Sequence, residues 1–466
     1  MLLAATTVGV YLLILLGVTN VLANAASACA TWPLCGGQST STSLVDPRLL
    51  VVLAHRLATV VVAGLVAWTA YEAWVRGVSR RIGAAIATAT LLYPVEVWIG
   101  AVTALSQGST VVSTLHLLVA MAIFSSLMAA LLWQLEAETP VDAGASGTAR
   151  NPAGAVPSTG VPSDGTDAGV VDDAPSSGRP GVGVRAYLDL TKPKLWWLLC
   201  LVAFAAMALA SAGLPPLRTV VGTMAGGILA IGASGTFNHV LERDVDRRMA
   251  RTADRPVATA EIPASRAMAF GVSLTAASVG VFLATTNVLA AALGLLAILF
   301  YTVVYTVVLK PNTSHNTVLG GAAGAFPALI GWAAVTNTVG LPAVVLGTVI
   351  FLWTPAHFYC LAIVLKDDYA RAGFPMLPVV RGEAVTRRHI LGYLGATMLG
   401  AVLLGVTTRL SWPYALVSVA VGAVFLWAVV RLYRERTERA AFRAFMASNA
   451  YLGLLLLAVA LDSMAL

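Results

Sequence analysis

The sequence has 466 residues, of which 58% are hydrophobic and only 11% charged, and its mean hydropathy is +0.83. A water-soluble chain carries about a quarter charged residues, so this composition excludes a soluble enzyme and predicts an all-α polytopic membrane protein. The net charge of +7 comes from basic residues gathered in connections between apolar runs, a pattern of membrane orientation and not of a nucleic-acid surface.

A helix needs about 20 apolar residues to cross the hydrocarbon core. Such runs occur first near residues 2–24, 50–75, 82–104 and 110–135. The first could pass for a secretory signal, but it lacks a basic leading region and no soluble domain follows, so a retained helix is expected. Cys29 and Cys35 share the next loop, and their spacing allows a disulfide. Residues 136–185 are acidic and rich in Gly, Ser, Pro and Ala, with no apolar period, which predicts a disordered acidic linker. Nine further runs follow near 193–213, 218–240, 266–285, 288–309, 317–336, 341–365, 388–408, 412–432 and 445–465, with Cys200 and Cys360 expected as core residues. The expected organisation is a four-helix bundle over 1–135, the linker over 136–185 and a nine-helix bundle over 186–466.

Charge tests this count. With the N-terminus inside, the Arg76, Arg80, Arg81 loop, the Arg243 to Arg255 loop, Lys310, the Lys366 to Arg371 loop and the Arg431 to Arg443 loop all fall on the inner face. Arg48 is the one exception. The expected location is the cell membrane, with the charged second-half loops on its cytoplasmic side.

Those loops carry the chemistry. Asn238, Glu242 and Asp246 are spaced four apart, which puts three oxygen-bearing groups on one helical face. Such a row suits Mg²⁺, which prefers oxygen ligands and often bridges carboxylates to phosphates. Asp244 falls elsewhere. Arg251 and Arg255 follow, with guanidinium groups suited to phosphate; taken alone, an ordinary basic loop would look the same. A second cluster, Lys366, Asp367, Asp368 and Arg371, follows the apolar run near 341–365, in the segment from Trp353 to Pro378. Two acidic helix mouths flanked by cations make a two-sided diphosphate clamp that could neutralise a leaving diphosphate. A dry cavity would shield the allylic carbocation left behind. Lys310 ends another run, as a phosphate contact or a snorkelling anchor. Gly320, Gly321, Gly324 and Gly331 are expected to permit close helix packing. His357 lies in a helix and could ligate heme iron, protonate a product or be a buried structural residue; His239 is expected to be structural. In the first half, His55 and His116 sit at similar depth on separate helices, an arrangement able to hold a heme from both sides.

From about Tyr187 onward the chain resembles the protoheme IX farnesyltransferases, the heme O synthase branch of the UbiA prenyltransferase superfamily. The matching stretches are LTKPK at Leu190–Lys194, N-x-x-x-E-R-D-x-D-x-x-M-x-R-T-x-x-R-P at Asn238–Pro256, Y-T-x-x-L-K at Tyr305–Lys310, GWAAVT at Gly331–Thr336, W-T-P-x-H-F at Trp353–Phe358 and KDDYARAG-x-PMLPVV at Lys366–Val380. The resemblance implies a nine-helix fold and a Mg²⁺-dependent site that transfers a farnesyl group from its diphosphate to a vinyl group of protoheme IX, giving heme O. By position, Asn238, Glu242 and Asp246 match the first acidic motif, and Asp367 and Asp368 the second, so these five are the expected catalytic residues. Asn238, Glu242, Asp246 and Asp367 are the expected metal ligands, and Arg251, Arg255, Lys310, Lys366 and Arg371 the diphosphate contacts. Other branches have D-x-x-x-D in the second motif; Arg371 stands at its last place here, which argues against a quinone acceptor. Ala356, Tyr359 and Cys360 depart from the usual W-T-P-P-H-F-W-A form without touching the charged residues.

The first half resembles one half of heme A synthase, through C-A-T-W-P-L-C-G at Cys29–Gly36, His55–Arg56, His116–Leu117 and, more loosely, E-x-W-I-G at Glu96–Gly100. Val52 stands where that family has a glutamate one turn before the first histidine, so heme binding is the implied role and not oxygenase chemistry. Expected partners are farnesyl diphosphate, protoheme IX, membrane lipid and heme A synthase or a terminal oxidase in assembly, with no nucleic acid. The competing readings are a UbiA-type prenyltransferase for a quinone or lipid headgroup, and a heme-binding membrane chaperone or transporter without catalysis. The intact acidic motifs argue against the last.

Overall fold

The computed structural model describes residues 1–25, 29, 47–105, 109–138, 183–211 and 213–465. Among them there is no strand, and 13 helices are long and apolar enough to cross a membrane. These are α1 (Leu2–Leu22), α2 (Arg48–Val75), α3 (Arg80–Leu105), α4 (Thr110–Ala137), α5 (Pro193–Ser211), α6 (Leu217–Leu241) and α7 (Ala264–Thr285). Then come α8 (Val288–Asn312), α9 (Asn316–Thr336), α10 (Leu341–Val364), α11 (Gly382–Thr408), α12 (Trp412–Glu435) and α13 (Glu438–Ala465). The four-plus-nine expectation is met. Helix is the only open-ended way to satisfy backbone groups in hydrocarbon. Local sequence sharpens the ends: Asn287 caps α8 by accepting from Ala290 N–H at 2.9 Å, and Pro342 and Pro413 occupy the first turns of α10 and α12.

Helices α10 to α13 form the most buried part of one large apolar core, and α1, α3 and α4 join the same core. Tyr11 of α1 bonds Ser418 of α12, oxygen to oxygen at 2.7 Å. Glu136 at the end of α4 pairs with Arg388 at the start of α11, and Glu138 lies 3.9 Å from Arg434. Large apolar residues such as Leu57, Trp74, Leu91 and Val111 face outward, where lipid is the solvent. Close packing depends on small residues: a Cβ on Gly331 of α9 would sit 2.2 Å from the Ala203 carbonyl oxygen of α5.

Cys29 is disulfide-bonded, while Cys200 and Cys360 are free. Cys35 lies outside the described residues, as do residues 139–182 of the expected linker.

Candidate active site

Helix α6 ends at Leu241, and Glu242 leaves helical geometry before a single turn at Arg243–Asp246. The four-residue register survives the break. Glu242 N–H donates to Asn238 O at 2.9 Å and Asp246 N–H to Glu242 O at 2.7 Å. The three side chains therefore stay stacked, and all are buried, at 3%, 6% and 2% exposure. A buried carboxylate must be paired, and each one is. Glu242 accepts from Lys310 Nζ at 2.6 and 2.7 Å. Asp246 accepts from Arg255 Nη1 at 2.9 and 2.8 Å.

Lys310 reaches Glu242 because of how α8 ends. Over Phe300–Leu309 the helix widens into π geometry, and Thr306 Oγ1 donates five residues back to Tyr301 O at 2.9 Å. This winding brings Tyr301, Thr306 and Lys310 to one face, whereas the ordinary 3.6-residue period would spread them. The Tyr301 hydroxyl lies 3.5 Å from Lys192 Nζ. Asn238 Nδ2 donates to Thr306 Oγ1 at 3.3 Å, and Lys310 Nζ also sits 4.5 Å above the Phe374 ring centre.

Sequence reasoning missed Lys192. It precedes Pro193 and adopts φ +52°, a left-handed conformation that a non-glycine residue holds only when its surroundings impose it. Its ammonium donates to Asn238 Oδ1. Burial is the main force pushing the Lys192 pKa down to about 7. Arg255 and Lys310 push the same way, and Glu242 and Asp246 oppose them. Gly235 makes the approach possible: a Cβ there would stand 2.8 Å from Leu190 O and 3.3 Å from the Lys192 stem. The clue in sequence was the LTKPK stretch, which carries a basic residue into the start of a span.

The second motif closes on the first. Asp368 is buried, pairs with Arg371 and accepts from Ala250 N–H at 3.3 Å. Met249 packs with Tyr369, Ala372, Phe374 and Met376 in a small core that seals the joint. Arg251 is exposed and lies within electrostatic reach of Tyr369, whose pKa burial raises. Arg251 and Arg255 oppose that rise, and Glu242 and Asp368 add to it. Asp367 is exposed, and Lys366 pairs with Glu383 of α11 at 3.2 Å. Among the described residues, then, Asp368 and not its neighbour is the acidic contact between the motifs. Asp244 pairs outward with Arg247 at 3.0 Å.

His357 lies between the rings of Trp353 and Phe445, with centroids 4.2 and 4.5 Å away. Ser448 Oγ donates to Phe445 O at 2.6 Å, which leaves it to accept from His357 Nδ1–H at 2.6 Å. That fixes the tautomer with the lone pair on Nε2. His239 is buried, and its Nδ1 has no hydrogen-bond partner.

No three His, Cys, Asp or Glu side chains among the described residues form a ready-made metal cage. The donor set is one amide and two carboxylate oxygens in succession. It suits Mg²⁺, which commonly takes one or two carboxylates and completes its shell with water and phosphate.

A model of the UbiA prenyltransferase family matches residues 199–453. The chain is 56% identical over 465 residues to protoheme IX farnesyltransferase 1 of Natronomonas pharaonis, spanning 100% of this chain and 98% of that protein. It is 54% identical over 473 residues to the protoheme IX farnesyltransferase of Haloarcula marismortui, again spanning 100% and 98%. Protoheme IX farnesyltransferase 1 of Saccharopolyspora erythraea aligns over 293 residues at 45% identity, 62% of this chain and 93% of its own. A solved structure described under "Structural and mechanistic insights into the biosynthesis of Digeranylgeranylglyceryl phosphate synthase in membranes" shares the fold. Its TM-score is 0.51 at 16% identity, over 61% of this chain and 99% of that one. The chain belongs to the UbiA prenyltransferase family, among its protoheme IX farnesyltransferases.

Proposed function

We propose that this protein transfers the farnesyl group of farnesyl diphosphate to a vinyl group of protoheme IX, giving heme O and diphosphate. One observation carries the reading. Three cations on separate segments, Lys192, Arg255 and Lys310, converge on the stacked Asn238, Glu242 and Asp246, and Asp368 ties the second motif to the same loop.

Asn238, Glu242 and Asp246 are the residues that would hold Mg²⁺, which when bound offsets diphosphate charge. Asp367, exposed, is the weaker part of the expected ligand set. Lys192, Arg255 and Lys310 would bear on the leaving group, where charge accumulates as the C1–O bond breaks; preorganised cations stabilise such charge best in a buried site. Arg251, Arg371 and Lys366 form the outer, more exposed ring of the same mouth. Tyr301 and Tyr305, with ring centres 5.3 Å apart, offer aromatic faces to an allylic cation and keep water off it. The vinyl carbon then bonds farnesyl C1 as the C1–O bond to diphosphate breaks, and the charge passes to the carbon next to the porphyrin. A water molecule adds there and loses a proton, giving the hydroxyl-bearing side chain of heme O. His357 Nε2 is assigned to the heme side of the cavity, as proton acceptor or iron contact. The basic loops share the site's end of the bundle, which supports a cytoplasmic location for it.

In the first half, His55 and His116 are proposed to hold a second heme. They lie within electrostatic reach of one another, on helices that pack in one four-helix unit.

The transferase reading is tested by expressing the chain in a host that lacks heme O synthase and identifying extracted hemes by mass. Farnesylated heme is expected. Unmodified heme alone, with the protein verified in the membrane, would overturn it, and a prenylated quinone or lipid would favour the other acceptor.

A further inference from the structure

The first four helices contain a buried polar cluster that farnesyl transfer does not use. Helices α1 and α2 form one packed pair, and α3 and α4 another. Each presents a histidine from its second helix, seated on a glycine of its first. A Cβ on Gly17 would stand 3.3 Å from His55 Cε1, and one on Gly100 would stand 3.0 Å from His116 Cε1. There the likeness between the pairs ends. One turn before Gly100, the buried Glu96 places Oε1 2.8 Å from His116 Nδ1; one turn before Gly17 stands Leu13.

The cluster is also incomplete. Asn20 Oδ1, on the turn of α1 after Gly17, is buried without a hydrogen-bond partner, and so are His55 Nδ1 and Glu96 Oε2; His116 Nδ1 is close enough to Glu96 Oε1, at 2.8 Å, but not yet aligned with it for a hydrogen bond. Unpaired polar atoms inside a membrane bundle are costly and mark functional sites. A bare metal ion does not fit, because among the described residues no three His, Cys, Asp or Glu groups converge to hold one. Two histidines from facing pairs suit a porphyrin, which brings four ligands of its own and asks the protein for only the two axial ones.

We infer that Glu96 is a positioning residue for such a porphyrin: its carboxylate takes the Nδ1–H of His116, leaves Nε2 to the iron and makes the two axial ligands unequal. The inference rests on the proposed binding of heme by His55 and His116. A carboxylate behind a ligating imidazole fixes the tautomer and makes the nitrogen a stronger donor. Val52, buried one turn before His55, cannot do this, so the carboxylate comes from the neighbouring pair's own first helix. The group held there is separate from the one that is farnesylated. His116 and Glu136 are twenty residues apart along the unbroken α4, about 30 Å, and Glu136 meets Arg388 at the diphosphate end of the bundle.

Full-length protein in detergent tests this by hemin titration and redox titration of the bound heme. Glu96→Gln is expected to bind hemin about 10- to 100-fold more weakly at the histidine pair and to shift its midpoint potential upward. Farnesyl transfer, measured in the same samples, should be unchanged and reports that the variant is folded. Glu96→Asp, which keeps a carboxylate, should return the potential toward the wild-type value. Glu96→Gln with wild-type affinity and potential overturns the role of Glu96 while heme binding stands. Wild-type hemin binding that survives both His55→Ala and His116→Ala overturns the binding reading itself, and the inference with it.

Discussion

Asp246→Ala is expected to lower farnesyl transfer by at least about 10²-fold, the scale of losing one preorganised electrostatic contact, while the protein still reaches the membrane. Asp246 is nearly fully buried and holds Arg255 through both oxygens. Its loss would remove a proposed metal ligand and release the guanidinium that the carboxylate orients. Breaking a fully buried pair costs about 3–5 kcal/mol. Arg255 keeps 20% of its side-chain surface exposed, so it can turn toward water and the lower end applies. Asp246→Asn keeps the shape and removes only the charge, which separates chemistry from packing. Turnover with farnesyl diphosphate and protoheme IX, beside membrane fractionation, checks both halves of the expectation. Activity near wild type in either variant would remove Asp246 from the reaction.

Lys192→Met should be nearly as damaging, at about 10²-fold in kcat/KM, although the residue lies forty-six positions from the acidic motif it serves. Methionine keeps the apolar stem that packs near Gly235 and deletes only the ammonium. Because the proposed contribution falls on the leaving diphosphate, the loss should appear in kcat more than in KM. A variant that raised KM alone would show that Lys192 merely captures substrate. One with unchanged kinetics would show that its left-handed backbone has a purely structural cause.

The thirteen spans were legible because each is a continuous apolar run of the length a bilayer demands, and basic loops mark one face independently of hydropathy. The row Asn238, Glu242, Asp246 was legible because i to i+4 hydrogen bonds continue across the break at Glu242. What could not be read depends on contacts between distant segments or on local winding. A period of 3.6 gives no reason to group Tyr301, Thr306 and Lys310; the π geometry of α8 does so. The choice between Asp367 and Asp368 turns on the phase of a seven-residue helix, Lys366–Ala372, relative to its neighbours. Adjacent residues there differ by about 100° in direction, and only packing against Met249 decides which one is buried. Lys192 was hidden because a lysine before proline at the start of a span looks like an interfacial anchor until a left-handed residue turns it inward. The contact of Glu96 with His116 is tertiary, so the sequence showed the carboxylate missing at Val52 but not this one beside His116.

Two loops on separate spans are proposed to hold a metal-bound diphosphate together. Calorimetric titration of farnesyl diphosphate into detergent-solubilised protein, with Mg²⁺ and then with excess chelator, tests it most directly, with Asp246→Asn alongside. Tight binding that requires Mg²⁺ and disappears in the variant is the predicted result. Equal affinity with and without the metal, in both proteins, would contradict it.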